Sequence, residues 1–139
     1  MIRKFLATLI LCTLALAFPA ESMAKKSEAQ IQAELDKFVL AYVDKANKRM
    51  TINRKKPQIV REKGRYVARF TEIDRQSVQA EVRQSRSKHF QYVARLRYHE
   101  LTFESEGKTR KEALKGPFRV VRERRLTEMP RYVKGKWEN

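Results

Sequence analysis

The sequence predicts an α+β domain: one N-terminal amphipathic helix packed on a curled antiparallel sheet of four to five strands. Three observations predict it. Apolar residues recur at helical spacing between Ile31 and Ala46. Beyond Pro57 the period changes to two, the alternation of a half-buried strand. The breaks between the alternating segments are short and turn-like, which joins neighbouring strands antiparallel. A helix and a sheet, each apolar on one side, leave water together by packing as two layers.

The helix begins at Ser27, an N-cap residue, with Gln30 three positions on to complete a capping box. Ile31, Leu35, Phe38, Val39, Tyr42, Val43 and Ala46 form its apolar stripe, and Glu34, Lys37, Asp44, Lys45 and Lys48 lie largely off it. Asp44 and Lys48 have the spacing of a favourable pair. Asn47 or the basic residues after it end the helix.

The strands follow in order. Lys63-Gly64 closes a hairpin between Ile59-Val60 and a strand with Tyr66, Ala68 and Phe70 on one face. Asp74-Arg75-Gln76 separates that strand from one carrying Val78, Ala80 and Val82. After Ser85-Arg86-Ser87 comes the clearest strand, with Phe90, Tyr92, Ala94, Leu96 and Tyr98 in register. Leu101 and Phe103 break that parity, which predicts a β-bulge near His99-Glu100. Residues 105–116 read as a charged connector, residues 118–126 as the fourth long strand, and Lys134-Gly135 as a terminal turn before Trp137, a plug for a sheet edge.

Ahead of this domain stand Arg3 and Lys4, an uncharged Leu/Ala-rich run over residues 5–17, and the small residues of Ser22-Met23-Ala24. That is the pattern of a secretory signal peptide cleaved after Ala24. It predicts a periplasmic or secreted bacterial protein whose functional part is a single domain over residues 25–139. The apolar run is short of the ~20 residues a spanning helix needs, so no transmembrane segment is expected after cleavage. The one cysteine, Cys12, falls in the leader, which leaves the domain without disulfide, thiolate ligand or cysteine nucleophile.

The chain carries a net charge of +16. Residues 25–47 hold four basic and four acidic side chains, whereas residues 48–139 hold 26 basic and 11 acidic. Such an excess favours an anionic envelope partner: lipid headgroups, polysaccharide or an acidic protein. Nucleic acid fits less well, because Phe90, Tyr92 and Tyr98 belong to the apolar face and offer no stacking platform. On the other face the alternation places Arg69, Arg83, Arg95 and Arg97, to which the fourth strand adds Arg119, Arg122, Arg124 and Arg125. Arginine's planar fork suits phosphate and carboxylate. We therefore take Arg69, Arg83, Arg95, Arg97, Arg122 and Arg124 as candidate anion-binding residues. Lys55 and Lys56 join them from a second basic cluster, Lys48-Arg49 with Arg54-Lys55-Lys56.

Catalytic and metal motifs are scarce. There is no H-x-x-x-H, no C-x-x-C and no Gly-rich phosphate loop. The sequence therefore assigns no catalytic residue, no metal ligand and no cofactor. His99-Glu100 is the best acid/base pair on offer. The bend inferred near His99 motivates an alternative, a small-ligand carrier or enzyme using the concavity of the curled sheet. A subunit of an envelope assembly, docking by a sheet edge, is a third reading.

The order of elements, the bent long strand and the closing Gly135-Lys136-Trp137 together resemble the cystatin or NTF2-like arrangement. The resemblance spans most of residues 25–139 as a pattern and brings no catalytic motif, so it transfers no functional residue. It implies a helix lying across a curled sheet. NTF2-like domains commonly add further helices that build a pocket, and one helix is evident here.

Overall fold

Ser27 opens the first element in the way its capping box dictates. Its hydroxyl accepts the Gln30 N–H at 3.3 Å, and the Gln30 side chain accepts the Ser27 N–H at 2.8 Å. The resulting helix, α1, runs Glu28–Arg49. The structure, a computed structural model, describes residues 26–139, so the expected signal peptide lies outside the described residues. Six strands follow rather than four to five: β1 (Gln58–Glu62), β2 (Arg65–Gln84), β3 (Tyr92–Gly107), β4 (Arg119–Glu128), β5 (Arg131–Val133) and β6 (Lys136–Glu138). A short helix, α2 (Arg110–Lys115), interrupts them. The long helix begins at Glu28, well inside the chain rather than at its N-terminus.

All strands pair antiparallel in one open sheet, in the order β1-β2-β3-β5-β6. β4 also pairs with β3, over Leu96–Glu104, so β4 and β5 share one edge of β3 in tandem. Both hairpins turn where the sequence predicts. Lys63-Gly64 and Lys134-Gly135 each have φ of 47° and 80°, the two positive values a type I′ turn demands.

The stripe of α1 packs as its spacing requires. Ile31, Leu35, Val39 and Val43 are at most 3% exposed, against Ile73, Tyr92, Ala94, Leu96, Tyr98 and Trp137. Phe38 and Tyr42 lie half-buried at the rim. The Trp137 indole N–H donates to the Ile31 carbonyl at 3.4 Å, which holds β6 to the start of the helix. Asp44 pairs with Arg75 on β2 rather than with Lys48, because β2 brings a planar partner alongside the last turns.

α1 also lies along the open edge of β2, whose pairing to β1 stops at Arg69. Two side-chain amides complete that edge. Gln32 donates to the Ala80 carbonyl at 3.2 Å and accepts the Val82 N–H at 3.1 Å. Asn47, about four turns on, donates to the Ile73 carbonyl at 3.2 Å and accepts the Ile73 N–H at 2.7 Å.

Three expectations change here. Asp74-Arg75-Gln76 is not a turn between strands: β2 passes through it, with a register shift between Asp74 and Gln79. Ser77 bridges the break, donating to the Asp74 carbonyl at 2.7 Å and accepting the His99 N–H at 2.8 Å. No bulge interrupts β3 at His99-Glu100. The extra residues sit on its neighbours, between Asp74 and Gln79 of β2 and at Val121 of β4. The apolar residues of β3 change parity because a second cover lies on the opposite face. Phe70 stacks on Phe103 with ring centroids 4.9 Å apart, and Phe118 meets it edge-on at 5.0 Å. Residues 105–116 are not a plain connector either, since they hold the end of β3 and α2. A Cβ on Gly107 would stand 2.5 Å from the Ala113 nitrogen, so α2 seats this closely only over glycine.

Asn47→Ala leaves both polar groups of Ile73 unpaired in a half-buried place. We expect a loss of about 1–3 kcal/mol in urea unfolding, with helicity retained. Burial first, and then its hydrogen bond to Glu128, push the Tyr98 hydroxyl's pKa up. A raised folded pKa means stability that is whole below the unfolded value of about 10 and lost as pH climbs past it. Urea melts should therefore show a decline of about 1 kcal/mol by pH ~11 that Tyr98→Phe removes.

Candidate anion-binding surface

Alternation along β3 sorts the arginines onto two faces rather than one. The face away from α1 carries Arg95 and Arg97 of β3. Glu81 of β2 stands opposite Arg95, and Gln79 of β2 and Thr127 of β4 flank Arg97. Arg83 of β2 and Arg131 of β5 both face Val93, and Arg125 of β4 faces His99. The opposite parity, shared with Tyr98 and Leu96, holds Arg69 opposite Glu104, Arg122 opposite Thr102, and Arg124 opposite Glu100. The expected single cluster of Arg69, Arg83, Arg95, Arg97, Arg122 and Arg124 is thus divided. Strand alternation counted from the apolar residues misplaces Arg69, Arg122 and Arg124, because those apolar residues themselves change face along β3.

The two groups differ in their partners. Arg69 is held by Glu104 and reaches Glu62 at 3.7 Å, and Arg124 meets Glu100 at 2.8 Å. These are cross-strand ion pairs that serve the sheet. Arg122 has no ion pair among the described residues. It lines a shallow recess of about 160 Å³ with Arg124 and the hydroxyls of Thr71 and Thr102, which lie 3.5 Å apart. On the face away from α1, Arg83 bonds Glu81 at 3.2 Å and Arg125 approaches Glu123 at 3.6 Å. Arg95, Arg97 and Arg131 have no carboxylate within ion-pair distance among the described residues. Arg83, Arg97, Arg125 and Arg131 are exposed and Arg95 is half-buried. Neighbouring strands about 4.8 Å apart, and same-face residues about 7 Å apart along each strand, spread these guanidinium groups over one face of the sheet.

Arg131 belongs to this array and was not among the expected residues. Its place depends on β5 pairing with β3, for which three residues after Pro130 give no periodicity to read. Its guanidinium lies 5.9 Å from the centre of the Phe90 ring, a cation–π contact that anchors the rim of the array. Lys55 and Lys56 are elsewhere, in a cleft of about 630 Å³ at the C-terminal end of α1.

His99 and Glu100 do not form an acid/base pair. As adjacent strand residues they point to opposite faces, His99 Nδ1 to Glu123 at 3.2 Å and Glu100 to Arg124. Among the described residues no three His, Asp or Glu side chains gather in a way that could hold a metal ion. Among the same residues no helix is long and apolar enough to cross a membrane.

The division into paired and unpaired arginines has a measurable consequence. Arg69→Ala should cost up to about 1 kcal/mol, since it breaks a linked pair between two strands. Arg97→Ala should stay within about 0.5 kcal/mol of the parent in the same denaturation series. Comparison with protein-family models, with curated proteins and with solved structures finds no match for this chain.

Proposed function

We propose that this chain is an exported, non-catalytic binding or accessory protein that contacts an anionic envelope component through the sheet face bearing Arg83, Arg95, Arg97, Arg125 and Arg131. One observation carries the reading: Arg95, Arg97 and Arg131 share an open face and form no ion pair among the described residues, while the acids of that face are engaged elsewhere, Glu81 by Arg83 and Glu123 by His99 and Arg125. Forked donors spread over four strands suit an extended anionic surface, a lipid headgroup layer or an acidic polymer, better than one small molecule. The net charge of +16 adds long-range attraction to the same partners. Export rests on the N-terminal sequence pattern, and the cystatin or NTF2-like architecture rests on the element order, helix first and antiparallel strands after. The sheet face that a small-ligand carrier would use is filled by the apolar stripe of α1, with Leu35 and Leu96 both at 0% exposure. That favours binding on the outer face.

Retention on heparin and on phosphatidylglycerol vesicles, read against a salt gradient, tests the proposal. The protein should elute well after a neutral control. Arg95→Ala with Arg97→Ala should melt normally yet lose about 2 kcal/mol of vesicle affinity, roughly thirtyfold. Elution with the neutral control would remove the proposal. Unfolding of the double variant would make these arginines structural.

A further inference from the structure

We infer that the cleft at the C-terminal end of α1 is a second anion site, one that takes a compact phosphate-bearing molecule, a phosphate ester or diphosphate of small-molecule size. The inference deepens the anion-binding reading but stands on other residues, so each can fail alone. The cleft is concave, and at about 630 Å³ it falls within the size range of small-molecule sites. Its walls carry six cationic and two anionic side chains. Both acids are already engaged. Glu72 accepts two hydrogen bonds from Arg54, at 2.7 and 3.1 Å, and Asp44 pairs with Arg75. Lys48, Arg49, Lys55 and Lys56 are left with no ion pair among the described residues. Lys48 and Arg49 lie in the last turn of α1, where they offset the negative end of the helix. The charge left for a ligand therefore centres on Lys55 and Lys56.

The loop that presents those two lysines is built, not merely basic. Asn53 organises it. Its side-chain oxygen accepts the N–H groups of Lys55 and Lys56 at 3.0 and 3.1 Å, and its amide nitrogen donates to the Met50 carbonyl at 2.8 Å. The Lys56 N–H also reaches the Asn53 carbonyl at 2.9 Å. Thr71 of β2 donates to the Ile52 carbonyl at 3.3 Å, which ties the loop to the sheet. Arg54 lies between, with its guanidinium 4.7 Å from the Phe70 ring centre and 5.6 Å from that of Phe103. A side chain held by a bidentate carboxylate and two rings does not move to meet a ligand. It fixes one wall, and the ammonium groups of Lys55 and Lys56 are left as point charges of the kind phosphate accepts. Two adjacent ammonium groups on one tight turn favour a ligand with more than one negative charge.

Isothermal titration with pyrophosphate at low ionic strength tests this. The parent protein should bind. Lys55→Gln with Lys56→Gln should weaken binding by about tenfold or more per lysine, and circular dichroism melts should be unchanged. Arg95→Ala with Arg97→Ala should bind pyrophosphate like the parent. No binding by the parent, or equal binding by the lysine variant, overturns the inference. Loss in the Arg95/Arg97 variant with retention in the lysine variant also overturns it, and leaves the sheet face as the site. Phosphatidylglycerol vesicles then distinguish the source. Displacement of bound pyrophosphate supports the cleft with a lipid headgroup as ligand, and failure to displace supports it with a soluble phosphate compound.

Discussion

The fit of α1 against the unpaired edge of β2 is the contact on which the other parts rest. A strand edge inside a domain exposes backbone donors and acceptors that must find partners. Here a helix stands where a neighbouring strand would be, and Gln32 and Asn47 present amide groups that copy the donor–acceptor pattern of a strand. The same helix buries its apolar stripe on Tyr92, Ala94, Leu96 and Tyr98. One element thus satisfies the polar needs of an edge and the apolar needs of a face. It also fixes the loop after Arg49, and with it the cleft holding Lys55 and Lys56.

The register shift in β2 allows the sheet to have two covers. Between Asp74 and Gln79 the ladder to β3 breaks, and Ser77 fills the gap with a hydroxyl. Ala80 and Val82 beyond the break, and Ile73 just before it, face α1. Further back along β2, Phe70 faces the opposite way with Phe103 of β3, under Arg54 and beside Phe118. Ser105 is buried in that second region, its hydroxyl without a partner among the described residues. Because the core changes face along one strand, so does the polar surface. The arginines are divided in consequence: Arg69 and Arg124 pair with glutamates on one face, and Arg95, Arg97 and Arg131 lie on the other.

That division matters more than the total charge. Net charge governs solubility and encounter, not where a partner binds. Arg69 and Arg124 are consumed by strand-to-strand pairs, whereas Arg95, Arg97 and Arg131 remain available. In the cleft the same logic holds in miniature, as Arg54 and Arg75 take up the acids and the lysines are left without an ion pair among the described residues. Both surfaces present unneutralised cations on a scaffold held by other contacts.

The α+β class, the capping box at Ser27, the buried stripe of α1 and both Lys-Gly turns are legible in the residues alone. Each follows from local spacing or from a backbone conformation that few residues adopt, and none needs a distant partner to be read. Which face each arginine occupies is set by long-range contacts in the folded chain. That depends on the break in β2, on the cover that lets Phe103 face away from α1, and on β5 joining β3 to bring in Arg131. Such contacts also decide that Asp74-Arg75-Gln76 bends a strand rather than ending one. The reason is the edge contact with α1: Asn47 and Gln32 hold β2 on either side of the break, and no local pattern records an amide placed by a helix from another part of the chain.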